Sequence, residues 1–204
     1  MFPAYLWRPG PLRLGILIAG LWLFGTGEAC IVAADRGNAP WTVLAQGVSL
    51  NTPLGIGAAT VAISFAVLCA WVPLRQQPGL GTVLNAIVIG VALGVMLRLL
   101  PSDPSGTVTL ALLAGGIIAV AVGGGVYLGV RLGPGPRDGL MTGLHARTGR
   151  SLRLVRTMIE LSALAAGFLL GGKIGVGTVA FALLIGPGVH AVFYAVEPRL
   201  GRLR

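Results

Sequence analysis

The sequence predicts an all-α membrane protein of six transmembrane helices built as two inverted three-helix repeats. Three observations carry this: a membrane-like composition, six long apolar runs, and an internal match at an offset of 96 residues. Of the 204 residues 55% are hydrophobic and 10% charged, whereas soluble domains carry about a quarter charged residues. No polar stretch is long enough to form a separate soluble module, so residues 1–204 read as a single membrane domain.

The apolar runs fall at approximately 14–34, 54–74, 82–100, 107–130, 154–172 and 174–196. Each can cross a hydrocarbon core of about 30 Å as a helix, some of them tilted. The first is too long for the apolar core of a typical signal peptide, so a retained helix is expected despite a "VAA" that resembles a cleavage site. Alternating ten-residue strands are missing from the sequence, which argues against a barrel.

The net charge of +9 comes from 14 arginines and Lys173. With six spans and the N-terminus inside, twelve of these fifteen fall on the inner side: Arg8, Arg13, Arg75, Arg131, Arg137, Arg147, Arg150, Arg153, Arg156, Arg199, Arg202 and Arg204. Only Arg36, Arg98 and Lys173 fall outside. This asymmetry predicts a bacterial plasma-membrane protein with both termini cytoplasmic. The basic residues lie between apolar runs rather than on a soluble, aromatic-studded face, so nucleic acid is not the expected partner. The cluster of Arg147, Arg150 and Arg153 suits anionic lipid headgroups.

Shifted by 96, Pro40, Leu44 and Gly47 fall on Pro136, Leu140 and Gly143, and "GLGTVLNAIVIG" at 79–90 falls on "GVGTVAFALLIG" at 175–186. Gly20, Gly27 and Gly37 fall on Gly116, Gly123 and Gly133, and 15 of 51 positions between 40 and 90 are identical. The repeats run over approximately 12–100 and 107–196. Each holds three spans, an odd number, so the second enters the membrane inverted. After the first span of each copy comes a segment of about twenty residues that opens on a proline suited to the first turn of a helix. Both segments are expected to form short helices, either lying in the interface or dipping inward as re-entrant halves.

The Gly-x-Gly-Thr stretches Gly79, Gly81, Thr82 and Gly175, Gly177, Thr178 look at first like phosphate-binding loops. Lys173, however, is followed by Ile174 rather than Ser or Thr, so the P-loop pattern is broken. They read instead as matching hairpin corners on opposite sides of the membrane, with glycines for the turn and threonines for the helix start.

The stretch 133–187, with its P-R-D-x-L, R-x-x-x-E and G-x-G-T…G-P elements, resembles the YczE/YitT-like family of bacterial membrane proteins over nearly the whole chain. The resemblance implies the fold and carries no substrate or reaction. The family's first copy commonly reads P-W-D, and here Thr42 stands where the second copy has Asp138. A role that needs two symmetric carboxylates is therefore not expected.

Four residues are candidates for contact with a substrate or ion. Glu28 lies within an apolar run, where an ionisable group is costly and commonly faces the bundle interior; helix packing or a place near the interface is the competing reading. Arg156 and Glu160 are four apart and suit an ion pair within one helix, with Arg156 alternatively free for an anionic substrate group. Asp138 suits either the dipole of the second short helix or a ligand.

His145 and His190 are isolated, and Cys30 and Cys69 have no metal-ligand or redox spacing and read as small core residues. No metal, cofactor or catalytic set is expected, and hence no enzyme. Gly-x-x-x-Gly at Gly90/Gly94, Gly125/Gly129 and Gly167/Gly171 suits tight helix packing, within the chain or in a homo-oligomer. The expected role is passage or export of a small solute, and the alternative is a non-transporting accessory or scaffold protein.

Overall fold

A computed structural model describes residues 6–200. The side chain of Arg199, together with Arg202 and Arg204 from the charge count, lies outside the described residues. Within them the chain is helical throughout: α1 Pro11–Ala34, α2 Pro40–Leu50, α3 Ile56–Leu74, α4 Leu80–Leu97, α5 Thr107–Val130, α6 Pro136–Thr148, α7 Leu152–Leu169 and α8 Val176–Leu200. The two short helices predicted after the first span of each copy are α2 and α6.

The start of each helix in α1–α4 is separated from its counterpart in α5–α8 by 96 residues. For α1 and α5 the ends match as well. Asp35 and Arg131, at the C-caps of α1 and α5, are both left-handed with φ 53° and 54°. Gly37 and Gly133, two residues on, have φ 100° and 117°, a region that favours glycine.

Among the described residues five helices are long and apolar enough to cross a membrane: α1, α3, α4, α5 and α8. The fifth run, 154–172, corresponds to α7, whose 18 residues include Arg153, Arg156 and Glu160 and so fall short of the other five.

The core is a crossing of α1 and α5. Gly20 lies against Gly123, and Gly27 against Gly116, so that advancing along one helix means retreating along the other and the pair is antiparallel. A Cβ on Gly27 would lie 2.6 Å from the Gly116 carbonyl oxygen; any larger residue would force the backbones apart. Helix α4 packs on α1, and α8 on α5. Outside this centre the copies interlock, α2 with α7 and α6 with α3. The Gly-x-x-x-Gly pairs find partners within the chain: Gly90 on Gly57, Gly125 on Val192, and Gly167 on Leu44.

Backbone bonds define two ends of the bundle. At one, the Gly81 amide donates to the Leu132 carbonyl at 2.8 Å and Arg13 donates to the Val130 carbonyl at 2.7 Å. At the other, the Gly177 amide donates to the Arg36 carbonyl at 2.8 Å, and Lys173 pairs with Asp35. The hairpin corners thus sit at opposite ends, each docked on the other copy. Thr82 and Thr178 accept from the Gly79 and Gly175 amides at 3.1 and 3.2 Å, reaching back as residues in the first turn do.

Candidate functional site

Both short helices begin inside the bundle and end at its surface. Pro40, Thr42 and Val43 are buried whereas Leu50 is exposed; Pro136 and Gly139 are buried whereas residues 145–148 are exposed. Proline at N1 gives each a preset φ and no amide hydrogen to leave unsatisfied in the interior. Trp71 fixes the depth of α6: its Nε1 donates to the Pro136 carbonyl at 2.9 Å, and its ring covers Gly139 so closely that a Cβ there would lie 2.0 Å away.

The starts of the two short helices meet at Trp41 and Arg137, which are counterparts at the 96-residue offset. The Arg137 guanidinium sits 5.8 Å from the centre of the Trp41 ring and 5.8 Å from that of Phe24, in the middle of α1. Such stacking holds a cation in place for roughly 0.5–2 kcal/mol per ring. Among the described residues Arg137 has no carboxylate within ion-pair distance.

This stack separates two spaces. On one side lies a cavity of about 730 Å3 bounded by α5, α6, α7 and α8, with Tyr127, Arg137, Asp138, Arg156 and Glu160 among its lining. On the other is a pocket of about 40 Å3 that holds Glu28 with Thr42, Thr60, Ser64 and Asn85. Phe24, Trp41, Asn85 and Arg137 line both.

Of the four candidate residues, three therefore share one cavity and the fourth lies behind its wall. Glu28 is buried, at 2% exposure. Thr42 donates to its Oε2 at 2.5 Å, and its Oε1 is buried without a hydrogen-bond partner, as is Trp41 Nε1. Asp138 accepts from the Tyr127 hydroxyl at 2.8 Å. Thr42 and Asp138 occupy the same repeat position, so each copy places a carboxylate–hydroxyl pair between its long and its short helix, with the roles exchanged. The first copy carries its carboxylate on α1 and the second on the short helix α6.

Arg156 and Glu160 form the expected i,i+4 pair at 3.0 Å, half-exposed on the cavity side of α7; exposed pairs contribute about 0–1 kcal/mol. His145 is exposed and contacts the Arg150 carbonyl, and His190 stacks on Tyr194 at the cavity wall. Cys30 is half-buried, but Cys69 is exposed on α3, so the expectation of a core residue fails there. A helix as apolar as α3 carries no periodic signal to tell its packed side from its outer side. Arg150 and Arg153 are exposed, and Arg147 donates to the Pro73 carbonyl. Among the described residues no three metal-ligating side chains gather.

Arg137, Trp41, Phe24, Asn85 and Tyr127 were missed in the sequence. Arg137 and Trp41 do sit between two matched pairs, Pro40/Pro136 and Thr42/Asp138. A search for identities passes over such a position, because the site uses the difference between the copies.

A family model described as a family of unknown function, DUF6198, matches residues 11–193. The chain is 41% identical over 185 residues to an "Uncharacterized protein" of Haemophilus influenzae, covering 91% of this chain and 85% of that one. It is 31% identical over 178 residues to the "Uncharacterized membrane protein YczE" of Bacillus subtilis, covering 86% and 82%. To the "Uncharacterized protein YyaS" of the same organism it is 25% identical over 188 residues, covering 90% and 91%. No solved structure matches.

Proposed function

The chain belongs to the family of unknown function DUF6198, and within it we propose that this member passes or exports a small solute across the bacterial plasma membrane. The observation that carries the reading is the Glu28 carboxylate. It is buried with one oxygen unpartnered, next to a cavity of about 730 Å3, at the point where two helix starts converge. Intramembrane ionisable groups are costly and mark solute or ion paths, and convergent half-helix starts from two repeats frame such sites in transporters.

In this reading the copies are inverted repeats. The antiparallel α1–α5 crossing and the docking of each hairpin corner on the other copy support that arrangement. Helix α7 serves as the sixth span, its Arg156 and Glu160 turned to the cavity rather than to lipid. The end bearing Arg13, Arg75, Arg131 and Arg147 faces the cytoplasm, so the large cavity opens inward and the Glu28 pocket lies beyond the Phe24–Arg137–Trp41 stack.

Accessibility tests the reading without knowing the solute. In a Cys30→Ala, Cys69→Ala background, Ser64→Cys places one thiol in the Glu28 pocket. A transporter exposes that thiol to a membrane-impermeant maleimide from the cytoplasmic face and, in its other state, from the opposite face. A thiol closed to the reagent from both faces in the folded protein would overturn the reading and leave the accessory or scaffold alternative.

A further inference from the structure

The two copies differ at one helix contact. In the first, α3 packs along α4; in the second, the corresponding α7 and α8 scarcely touch. The cause is legible at the contact itself. A Cβ on Gly57 would lie 2.4 Å from the Gly90 carbonyl oxygen and 2.8 Å from Gly94, so that seam closes only on glycine. At the offset of 96, Arg153 replaces Gly57 and His190 replaces Gly94, and neither fits such a contact. Gly186, the counterpart of Gly90, has nothing within 4 Å of where its Cβ would stand. It lines the large cavity instead, with His190.

The second seam is therefore propped open, and it leads from the apolar outer faces of α7 and α8, where Leu161 and Leu183 are exposed, to the cavity. Arg131 is held by Glu197 at 2.8 Å and Arg156 by Glu160 at 3.0 Å, while Asp138 is hydrogen-bonded by Tyr127. Among the described residues Arg137 is the one lining arginine without a carboxylate in ion-pair distance, and it stands on the wall that the cavity shares with the Glu28 pocket.

We propose that the open α7–α8 seam is a lateral portal for an anionic amphiphile, whose headgroup reaches Arg137 in the cavity while its alkyl chain stays in the bilayer. The geometry lets a charged group leave the hydrocarbon region without extracting the chain, whose transfer to water would cost about 0.8 kcal/mol per CH2. This rests on the solute reading above and narrows its substrate class.

Native mass spectrometry of the purified full-length protein tests it, with phosphatidylglycerol and phosphatidylcholine as the probes and glycerol phosphate as the tail-less competitor. Phosphatidylglycerol is expected to bind at least tenfold more tightly than phosphatidylcholine, and Arg137→Gln to remove most of that preference. Gly186→Trp fills the seam, where open space receives it, and is expected to weaken phosphatidylglycerol at least tenfold at an unchanged thermal midpoint; Gly186→Leu replaces it should the larger side chain impair folding.

Equal binding of the two lipids, or a preference that survives Arg137→Gln, overturns the proposal. Full competition by glycerol phosphate also overturns it, in favour of a water-soluble anion, and leaves the solute reading standing. A wild-type dimer that Gly186→Trp converts to monomer overturns it in favour of a second copy filling the seam. Lipid binding as expected, with Ser64→Cys closed from both faces, would sustain the amphiphile site and remove transport.

Discussion

Thr42 donates to Glu28 Oε2 at 2.5 Å, while the Oε1 of the same carboxylate has no partner although the residue is only 2% exposed. The hydrogen bond joins a short helix to a long one within the first copy. It also orients the carboxylate, so that one oxygen is tied to the protein and the other is left for the pocket.

Glu28→Gln keeps the shape of the side chain and an acceptor for Thr42 but removes the ionisable carboxyl group. A buried polar atom without a partner costs about 1–3 kcal/mol, so a structural Glu28 would be a poor choice. The substitution is expected to leave the thermal midpoint unchanged or raised and to abolish labelling of Ser64→Cys from the face opposite the cavity. A clear drop in midpoint with labelling intact would make Glu28 a packing residue.

Gly139 lies under Trp71, where a Cβ would sit 2.0 Å from the ring. Gly139→Ala should destabilise by about 1–3 kcal/mol, the usual range for overpacking, read as a lower thermal midpoint. Trp71→Phe opens space at the cost of the bond to the Pro136 carbonyl, about 1 kcal/mol. The double variant is expected to be more stable than the sum of the two single losses, because the second substitution relieves the first.

The two corner threonines are not equivalent. Thr82 Oγ1 accepts from the Gly79 amide and donates to the Pro134 carbonyl at 2.7 Å, whereas among the described residues Thr178 Oγ1 bonds to the Gly175 amide alone. Thr82→Val should therefore cost roughly 1–2 kcal/mol and Thr178→Val about half that, at net values near 1 kcal/mol per bond. Equal losses in denaturation would show that the tie between α4 and the residue 131–135 loop adds nothing.

Membrane sidedness follows from the charge asymmetry. In right-side-out vesicles of the cysteine-free variant, Ser151→Cys is expected to stay unlabelled by an impermeant maleimide until permeabilisation, and Ser102→Cys to label at once. The reverse pattern would invert the cytoplasmic assignment of the large cavity.

The sequence by itself determined the helices, their period of 96 and the corners where they turn. Most of this depends on local chemistry, apolar length and proline at a helix start, whereas the corner glycines are required by close approach to the Leu132, Arg36 and Gly37 carbonyls. The glycines that mark the repeat form the α1–α5 crossing in the structure, since only glycine lets two backbones approach so closely. Glu28 and Asp138 were visible because a carboxylate stands out against an apolar background.

Tertiary structure alone decided what those residues face. Arg137 and Trp41 are 96 residues apart, and each is ordinary in its own segment; packing two helix starts end to end makes them a stack. The open seam arose the same way. Arg153 and His190 read as a topology signal and a lone histidine until α3 and α4 display the glycine contact that α7 and α8 cannot make. Whether two helices touch is set by the pair of surfaces, and a single strip of sequence contains only one of them.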